Sequence, residues 1–486
     1  MMPVKLSDAA TWLAGVALTA GTLYLGTGLD PWWPLLWMAP LPVLLVAFRM
    51  GSYAAGSAAL VAWVLGNLNV WSYLSLLVPI PVLIAFLLLP GAAFAAAVLA
   101  SRRQFLRAHP IRATVALPAA WVAYEFIISL TSPHGSAASI AYTQVGFLPV
   151  IQIARLTGFL GIAFTVLLLP AGVAVAWSSR RRPGIPAATL AGSAGLVGAV
   201  LLYGWMRLAS NDPGIPRRVA LAASDTTVRF FRASTPEEVL PVVRVYTETV
   251  RQLGNQGVGI MVLAEKIVGV SPAYARDVHA ELGGAARDAH LTLVAGLNLL
   301  EAPLNRNVAA VFTPEGLLAT EYDKQHFIPG LEDGYTKGSE PGLFVAGADT
   351  MGVAICKDLD FPALGRRYSR AGARVLLVPA WDFSRDGLLH ARMAILRGVE
   401  GGFALVRSAQ DGLLTITDSR GRVLASAASN DAPVTTLVGE VLPGPAHTFY
   451  SRTGDWLGWL SVGLTVALQL SGRRSTSSPG RRSAIG

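Results

Sequence analysis

The sequence predicts a polytopic α-helical membrane protein of about eight spans that carries one extracytoplasmic, layered α/β domain. Three observations carry this expectation. Mean hydropathy is +0.49 and only 14% of the 486 residues are charged, a composition typical of chains that live in lipid. Apolar runs of membrane-spanning length occupy most of residues 9–206 and one more lies at 456–472, whereas 217–444 reads as soluble. The Lys and Arg residues fall in short clusters between the apolar runs.

The elements follow in order. A hydrocarbon core of ~30 Å needs roughly 20 apolar residues per helix. Residues 9–29 and 31–48 supply the first two spans. Residues 50–101 contain no charge and are long enough for two more, with the break at 67–81, where Asn, Ser, Tyr and two prolines collect. Residues 113–130, 156–177 and 184–206 are the fifth to seventh spans, and 456–472 is the eighth. The first run is too long for a cleaved signal and another span follows at once, so it is expected to remain as an anchor.

Basic residues set the orientation. Lys5 precedes the first span and Arg49 lies between the second and third. Arg102, Arg103, Arg107 and Arg112 separate the fourth from the fifth, and Arg180, Arg181 and Arg182 the sixth from the seventh. Arg473, Arg474, Arg481 and Arg482 follow the eighth. With eight spans all of them fall on one side, the cytoplasm. The soluble region between spans seven and eight then lies outside. The expected division is a seven-helix membrane domain (1–210), an extracytoplasmic domain (217–445), a C-terminal span (453–472) and a basic cytoplasmic tail (473–486) lying on anionic lipid. The twelve Trp residues are expected mostly as interfacial anchors.

Charge and cysteine content narrow the function. The net charge of +9 is explained by these topology clusters, so no nucleic-acid partner is expected. Cys356 is the only cysteine, which excludes an intramolecular disulfide and leaves a free thiol.

In the soluble region, strand-like runs at 218–224, 259–264, 291–297, 308–313, 352–355, 375–379 and 404–408 alternate with helical stretches such as 236–253, 273–289 and 387–401. That alternation points to layered α/β architecture, with chemistry at the carboxyl ends of strands. Three such ends carry functional groups: Glu265 in GIMVLAEK, Lys324 in GLLATEYDK and Cys356 in MGVAICKD. A carboxylate can take the thiol proton. An ammonium can lower the thiol pKa and hold a developing oxyanion. Each also has a plain structural reading: a core cysteine, a solvated Glu265–Lys266 pair, a surface lysine. Glu125 and Arg155, at the edges of spans five and six, are ionisable candidates of the same two-sided kind.

The three segments, in this order, resemble the Glu-Lys-Cys pattern of the nitrilase superfamily. NVAAVFTPEG followed by YDKQHFIPGLE fits the same pattern. So does WDFSRDGLLHARMAILRGVEGGFALVRSAQDG, with His390, Arg397 and Glu400 in place, and SRGRV resembles the final hairpin. Seven spans before such a domain and one after resemble the apolipoprotein N-acyltransferase family. SPHGSAASIAYTQVGFLPVIQIARLTGFLGIAF and TFYSRTGDW agree with that family too. The resemblance implies an α-β-β-α sandwich, with Glu265 as general base, Lys324 as oxyanion stabiliser and Cys356 as nucleophile. Glu332 and Asp358 match further functional positions around the substrate.

Four places depart from the pattern. Leu263-Ala264-Glu265 stands for Trp-Pro-Glu, Cys356-Lys357-Asp358 for Cys-Tyr-Glu, Pro329-Gly330-Leu331-Glu332 for Pro-Phe-Gly-Glu, and Pro379-Ala380 for Asn-Asp. The resemblance implies ping-pong acyl transfer: a membrane phospholipid acylates Cys356, and the N-terminal amine of a diacylglyceryl-cysteine apolipoprotein takes the acyl chain. It implies no metal and no cofactor, a monomer, and a multi-pass place in the bacterial inner membrane with the catalytic domain periplasmic. A membrane-anchored carbon–nitrogen hydrolase (amidase) would use the same triad with water as acceptor. A non-enzymatic transporter or scaffold would be expected to show a broken triad or mid-span charges.

Overall fold

The computed structural model describes residues 6–470 except 211, 213 and 227; Lys5 and the expected basic tail lie outside the described residues. The membrane region comprises α1 (Leu6–Gly26), α2 (Pro40–Arg49), α3 (Ser52–Gly66), α4 (Trp71–Leu77), α5 (Ile80–Leu106), α6 (Pro110–Thr131), the one-turn helices α7 (Leu148–Ile151) and α8 (Ala154–Thr157), α9 (Phe159–Ser178) and α10 (Ile185–Ala209). Among the described residues six helices are long and apolar enough to cross a membrane, one of them formed by α3 running on into α4. The expected second span is shorter. Residues 33–49 split into a 3₁₀ turn, Trp33–Trp37, and α2, because Pro34 and Pro40 each remove a backbone donor. The last helix is described over fifteen residues, Trp456–Leu470.

The chain then forms β1 (Arg217–Ala223), α11 (Pro236–Gly254), β2 (Ile260–Leu263), β3 (Gly269–Val270), α12 (Ala275–Asp288), β4 (Thr292–Leu299), β5 (Arg306–Phe312) and β6 (Leu318–Asp323). A second half follows with β7 (Gly342–Ala346), β8 (Asp349–Val353), α13 (Pro362–Arg370), β9 (Val375–Trp381), α14 (Gly387–Gly401), β10 (Ala404–Gln410), β11 (Leu413–Thr417), β12 (Val423–Ala428) and β13 (Thr435–Val441). Helices α15 (Phe449–Thr453) and α16 (Trp456–Leu470) return the chain to the membrane region.

Two sheets result, in the orders β13-β1-β2-β4-β5-β6 and β12-β11-β10-β9-β8-β7, with β3 beside β4. Side-chain alternation explains how they stack. Val375 and Leu377 of β9 enter the core between the sheets, while Leu376 and Val378 face α13 and α14. Period-2 projection thus lets one strand bury both faces. Helix α11 covers the first sheet with Val239, Val242, Val243, Tyr246 and Val250, spaced three and four apart. Pro236 opens that helix and Glu237 and Glu238 sit at its positive end.

Helix α14 is buried nearly all round because it is packed on two sides. Ala394 faces the second sheet, whereas Met393, Ile395, Leu396 and Val399 join the core of the membrane region. Hydrogen bonds fix the seat of α14 and the neighbouring start of α16. Arg392 Nη1 donates to Leu29 O at 2.8 Å, the Phe159 N–H at the start of α9 donates to Glu400 Oε1 at 2.7 Å, and Trp456 Nε1 donates to Leu156 O at 2.9 Å. At the other end of the helices Arg102 Nη2 donates to Met50 O at 2.8 Å and Arg103 Nη1 to Gln469 Oε1 at 2.6 Å. The α/β domain therefore caps one end of the bundle, and the helix ends bearing Arg49, Arg102 and Arg103 lie at the opposite end.

Candidate active site

Strands β2, β6 and β8 deliver the three sequence-predicted residues to one place. β2 ends at Leu263, and Glu265 and Lys266 occupy the turn beyond it, with Lys266 at φ +52°. Gly296 of β4 lets this turn lie close, since a Cβ there would stand 2.6 Å from the Glu265 Cα. Lys324 directly follows β6. Cys356 opens a 3₁₀ turn, Cys356–Asp360, three residues beyond the end of β8, and has φ +42°. A left-handed backbone costs a non-glycine residue about 1–2 kcal/mol, so neighbouring contacts must hold it.

Asp358 is one of them. Its carboxylate accepts from Tyr322 Oη (2.7 Å) and from the backbone N–H groups of Ile355 (3.1 Å), Gln325 (3.1 Å) and His326 (3.0 Å). It thereby ties the nucleophile's turn to the segment just after Lys324. A second hold comes from the membrane region. Ser136 donates its N–H and its hydroxyl to Asp360 O, at 3.0 and 2.7 Å. Its Oγ lies 2.6 Å from Tyr142 Oη, which in turn accepts from Arg397 Nη2 at 2.8 Å. Gly135 has φ +53°, and a Cβ on it would stand 2.5 Å from Asp360 O. The loop between spans five and six thus clamps the thiol's turn.

A buried charge cluster lies beside the thiol. Lys324 Nζ donates to Glu265 Oε1 (2.9 Å) and Glu332 Oε2 (2.9 Å). Lys266 Nζ donates to Glu332 Oε1 (2.6 Å) and lies 4.3 Å from the Tyr335 ring centre. Asn307 Nδ2 donates to Glu265 Oε1 (2.6 Å) and Glu332 Oε1 (3.1 Å). Two cations and two carboxylates balance, which makes burial of all four tolerable. Glu265 Oε1 is engaged twice, whereas Glu265 Oε2 is buried with no hydrogen-bond partner among the described residues. Cys356 Sγ is 3.4 Å from Trp381 O.

These surroundings set the protonation states. Burial opposes the Lys324 charge, but Glu265 and Glu332 override it and hold the ammonium well above its ordinary pKa. Burial likewise raises Glu332, yet Lys324 and Lys266 bring it down to about 2. Burial and the Glu265 charge push the Cys356 thiol well above its usual range, and Lys324 only partly offsets them. Lys324 does act to lower the thiol pKa, as expected, but burial and Glu265 outweigh it. At rest the sulfur is protonated, and it needs a base at the moment of attack.

The remaining sequence candidates separate. Glu125 accepts from Trp121 Nε1 (3.0 Å), Ser139 Oγ (2.8 Å) and the Ile140 N–H (2.9 Å), so it anchors the clamping loop. Glu400 pairs with Arg397 and caps α9, and burial raises its carboxyl to about 7. His390 and Tyr73 both bond Asp386, joining α14 to α4. Lys357, in the usual tyrosine position, lies 3.1 Å from Asp360 Oδ2 and 3.2 Å from His134 Nδ1. Arg155 stands apart from all of these. Sequence reasoning missed Lys266 and Asn307 as members of the charge cluster, although both adjoin the quoted motifs. It also missed Gly135, Ser136 and Tyr142, for which the glycine inside SPHGS was the only local signal.

Comparison with known proteins followed the same two parts of the chain. The family model described as the apolipoprotein N-acyltransferase N-terminal domain matches residues 14–173, and that described as carbon-nitrogen hydrolase matches 219–441. An apolipoprotein N-acyltransferase of Geobacter metallireducens is 28% identical over 91% of this chain and 92% of that protein. One of Gloeobacter violaceus is 25% identical over 97% and 96%. Among solved structures, an amidase from Nesterenkonia sp. is similar over 49% of this chain and 92% of its own, at 19% identity and a TM-score of 0.39.

Proposed function

We infer the reaction from family and geometry together: the chain belongs to the apolipoprotein N-acyltransferases, membrane enzymes of the nitrilase superfamily, and it transfers an acyl chain from lipid to the N-terminal amine of apolipoproteins. The observation that carries the site assignment is the unpartnered oxygen of Glu265. Oε1 is spent on Lys324 and Asn307, and Oε2 is left as a buried acceptor beside a protonated thiol.

The steps follow from that arrangement. The Cys356 sulfur attacks the ester carbonyl of a membrane phospholipid as its proton passes to Glu265 Oε2. The Lys324 ammonium, held charged by two carboxylates, stabilises the oxyanion of the tetrahedral intermediate. Collapse breaks the acyl C–O bond. The leaving alkoxide takes the proton from Glu265 and departs as lysophospholipid, leaving a thioester on Cys356. The free amine of a diacylglyceryl-cysteine attacks the thioester, Glu265 accepts the amine proton, and the thiolate leaves and is reprotonated. Glu332 keeps Lys324 placed, and Asp358 and the 135–142 loop keep the sulfur placed.

The membrane arrangement supports this reading. The cation-bearing helix ends lie on the side of the bundle away from the catalytic domain, which favours a periplasmic domain by the positive-inside rule. Both substrates carry chains that rest in the bilayer, and extracting them would cost ~0.8 kcal/mol per CH₂. A site seated on the helix ends avoids most of that. The amidase alternative has the same triad but gives no reason for the membrane seat. The test is acceptor choice. Purified protein with a chain-labelled phospholipid and a diacylglyceryl-cysteine peptide should place label on the peptide's α-amine. Release of label as free fatty acid at the same rate with and without peptide would assign water as acceptor.

A further inference from the structure

A group of arginines at the rim of the catalytic domain is not used by the reaction. Arg155 follows Gln152 by one helical turn, and the Gln152 amide joins two others. Its Nε2 donates to Arg420 O (2.9 Å) and its Oε1 accepts from Arg207 Nε (3.4 Å). Arg420 Nε in turn donates to Arg207 O (2.9 Å), and Arg422 bonds Leu208 O. Arg155, Arg207, Arg420 and Arg422 therefore gather around the C-terminal end of α10.

Two of the four are accounted for. Arg420 and Arg422 cap the last carbonyls of α10, where the helix dipole favours cations. Arg420 also pairs with Asp212 (2.6 Å) and Arg422 with Asp418 (3.3 Å). Asp212 further accepts from the Ser419 hydroxyl, and Asp418 from the N–H groups of Arg420 and Arg422. Both carboxylates are thus occupied. Arg155 makes no side-chain hydrogen bond or ion pair among the described residues, and Arg207 makes only the long bond to Gln152. Each keeps a buried guanidinium nitrogen without a partner, Arg155 Nη1 and Arg207 Nη2. Both side chains are half-buried rather than free in solvent. Asp212 is a counter-charge that Arg155 and Arg207 must share with Arg420, four guanidinium groups stand against two carboxylates, and the excess positive charge calls for an anion.

The surroundings say which anion. The last two turns of α10 turn outward with large apolar side chains, Leu202 at 62% exposure, Trp205 at 61% and Met206 at 67%. An outward tryptophan marks the head-group level of a bilayer, and Arg207 follows it by two residues. The guanidinium groups therefore stand at the depth of lipid phosphates, beside a surface that lipid chains would cover. We propose that Arg155 and Arg207 form a binding site for the phosphate of an anionic membrane lipid, built on different elements from the Cys356 site. Such a lipid would fasten α8 and α10 to the 418–422 turn and so help seat the catalytic domain on the bilayer.

The test uses the full chain carrying Cys356→Ala, so that no lipid is consumed and the outcome does not depend on the acyltransferase reading. Detergent-solubilised protein is titrated with dioleoyl phosphatidylglycerol or with dioleoylglycerol, and retained lipid is counted by native mass spectrometry. Phosphatidylglycerol should be retained at least tenfold better than the phosphate-free lipid. Arg155→Gln with Arg207→Gln should lose about that tenfold, while Arg155→Lys with Arg207→Lys keeps part of it. Equal retention of the two lipids by the parent protein overturns the proposal without any further variant. So does undiminished phosphatidylglycerol binding in the glutamine variant. Displacement by inorganic phosphate at concentrations similar to the lipid overturns the lipid assignment in favour of a free phosphate site.

Discussion

Glu332→Gln removes one carboxylate from the four-charge cluster and keeps the side-chain shape. Lys266 then loses its partner at 2.6 Å, Lys324 loses one of two, and three charges remain where four had balanced. Two routes give the size of the effect. The Glu332 carboxyl is held from 4.5 down to about 2 by Lys324 and Lys266 against the cost of burial; at 1.36 kcal/mol per unit that is about 3 kcal/mol of stability at neutral pH. Breaking a buried ion pair from one side independently costs about 3–5 kcal/mol. For a domain of this size each kcal/mol moves the melting temperature by roughly 2–4 °C, so the variant should melt roughly 6–12 °C lower. The sign with pH is fixed as well. A depressed carboxyl contributes its stability above its unfolded value and loses it as pH falls from about 4.5 towards 2. Thermal unfolding of wild type and Glu332→Gln between pH 7 and pH 3 should show the gap narrowing on the acid side. A variant that melts within roughly 2 °C of wild type at pH 7, or that keeps the same gap down to pH 3, refutes the argument that Glu332 balances the two lysines.

Further outcomes follow from the same geometry. Gly135→Ala puts a Cβ against Asp360 O at a left-handed position, a strain of about 1–2 kcal/mol. Single-turnover acylation of Cys356 should slow on the order of tenfold, and an unchanged rate would show that the membrane loop does not position the thiol. Iodoacetamide labelling of Cys356 should keep rising through pH 9, because burial and Glu265 raise the thiol; a plateau near pH 8 would contradict the raised pKa. Lys324→Met removes the cation that partly offsets them, so labelling should be slower at every pH, and faster labelling would reverse the assigned sign. Asp358→Asn turns an amide N–H₂ towards donors and should cost about 1.5–3 kcal/mol in a denaturant titration, whereas no loss would mean that the turn is held by the Ser136 clamp alone.

The parts of the fold legible in the sequence were those with strong local patterns. Largely apolar runs at 375–379 and 291–297 announce strands buried on both faces, and both form as expected. Strands β7 and β13 were not anticipated, because they are half-exposed antiparallel strands with short patterns. The short second span reflects two prolines that break a run which hydropathy alone reads as continuous. At the candidate site, Glu265 and Cys356 each follow a buried, largely apolar strand, whereas Lys324 follows the half-exposed β6. Lys266 gives no such signal, because a Glu-Lys pair in a turn is ordinarily solvated, and only Glu332, 66 residues away, makes its burial tolerable. The clamp is less legible still, since Ser136 and Asp360 are 224 residues apart and belong to different regions of the chain. Contacts between a membrane loop and a catalytic turn have no periodicity to read.

The most direct test of the account is intact-protein mass spectrometry of wild type and Cys356→Ala in detergent, first with phospholipid alone and then with a diacylglyceryl-cysteine peptide. The account predicts one acyl-sized adduct on wild type only, stable until the peptide is added and then found on the peptide's amine. An adduct of equal size on Cys356→Ala, or its absence from wild type while the protein still acylates the peptide, would contradict a thioester on Cys356.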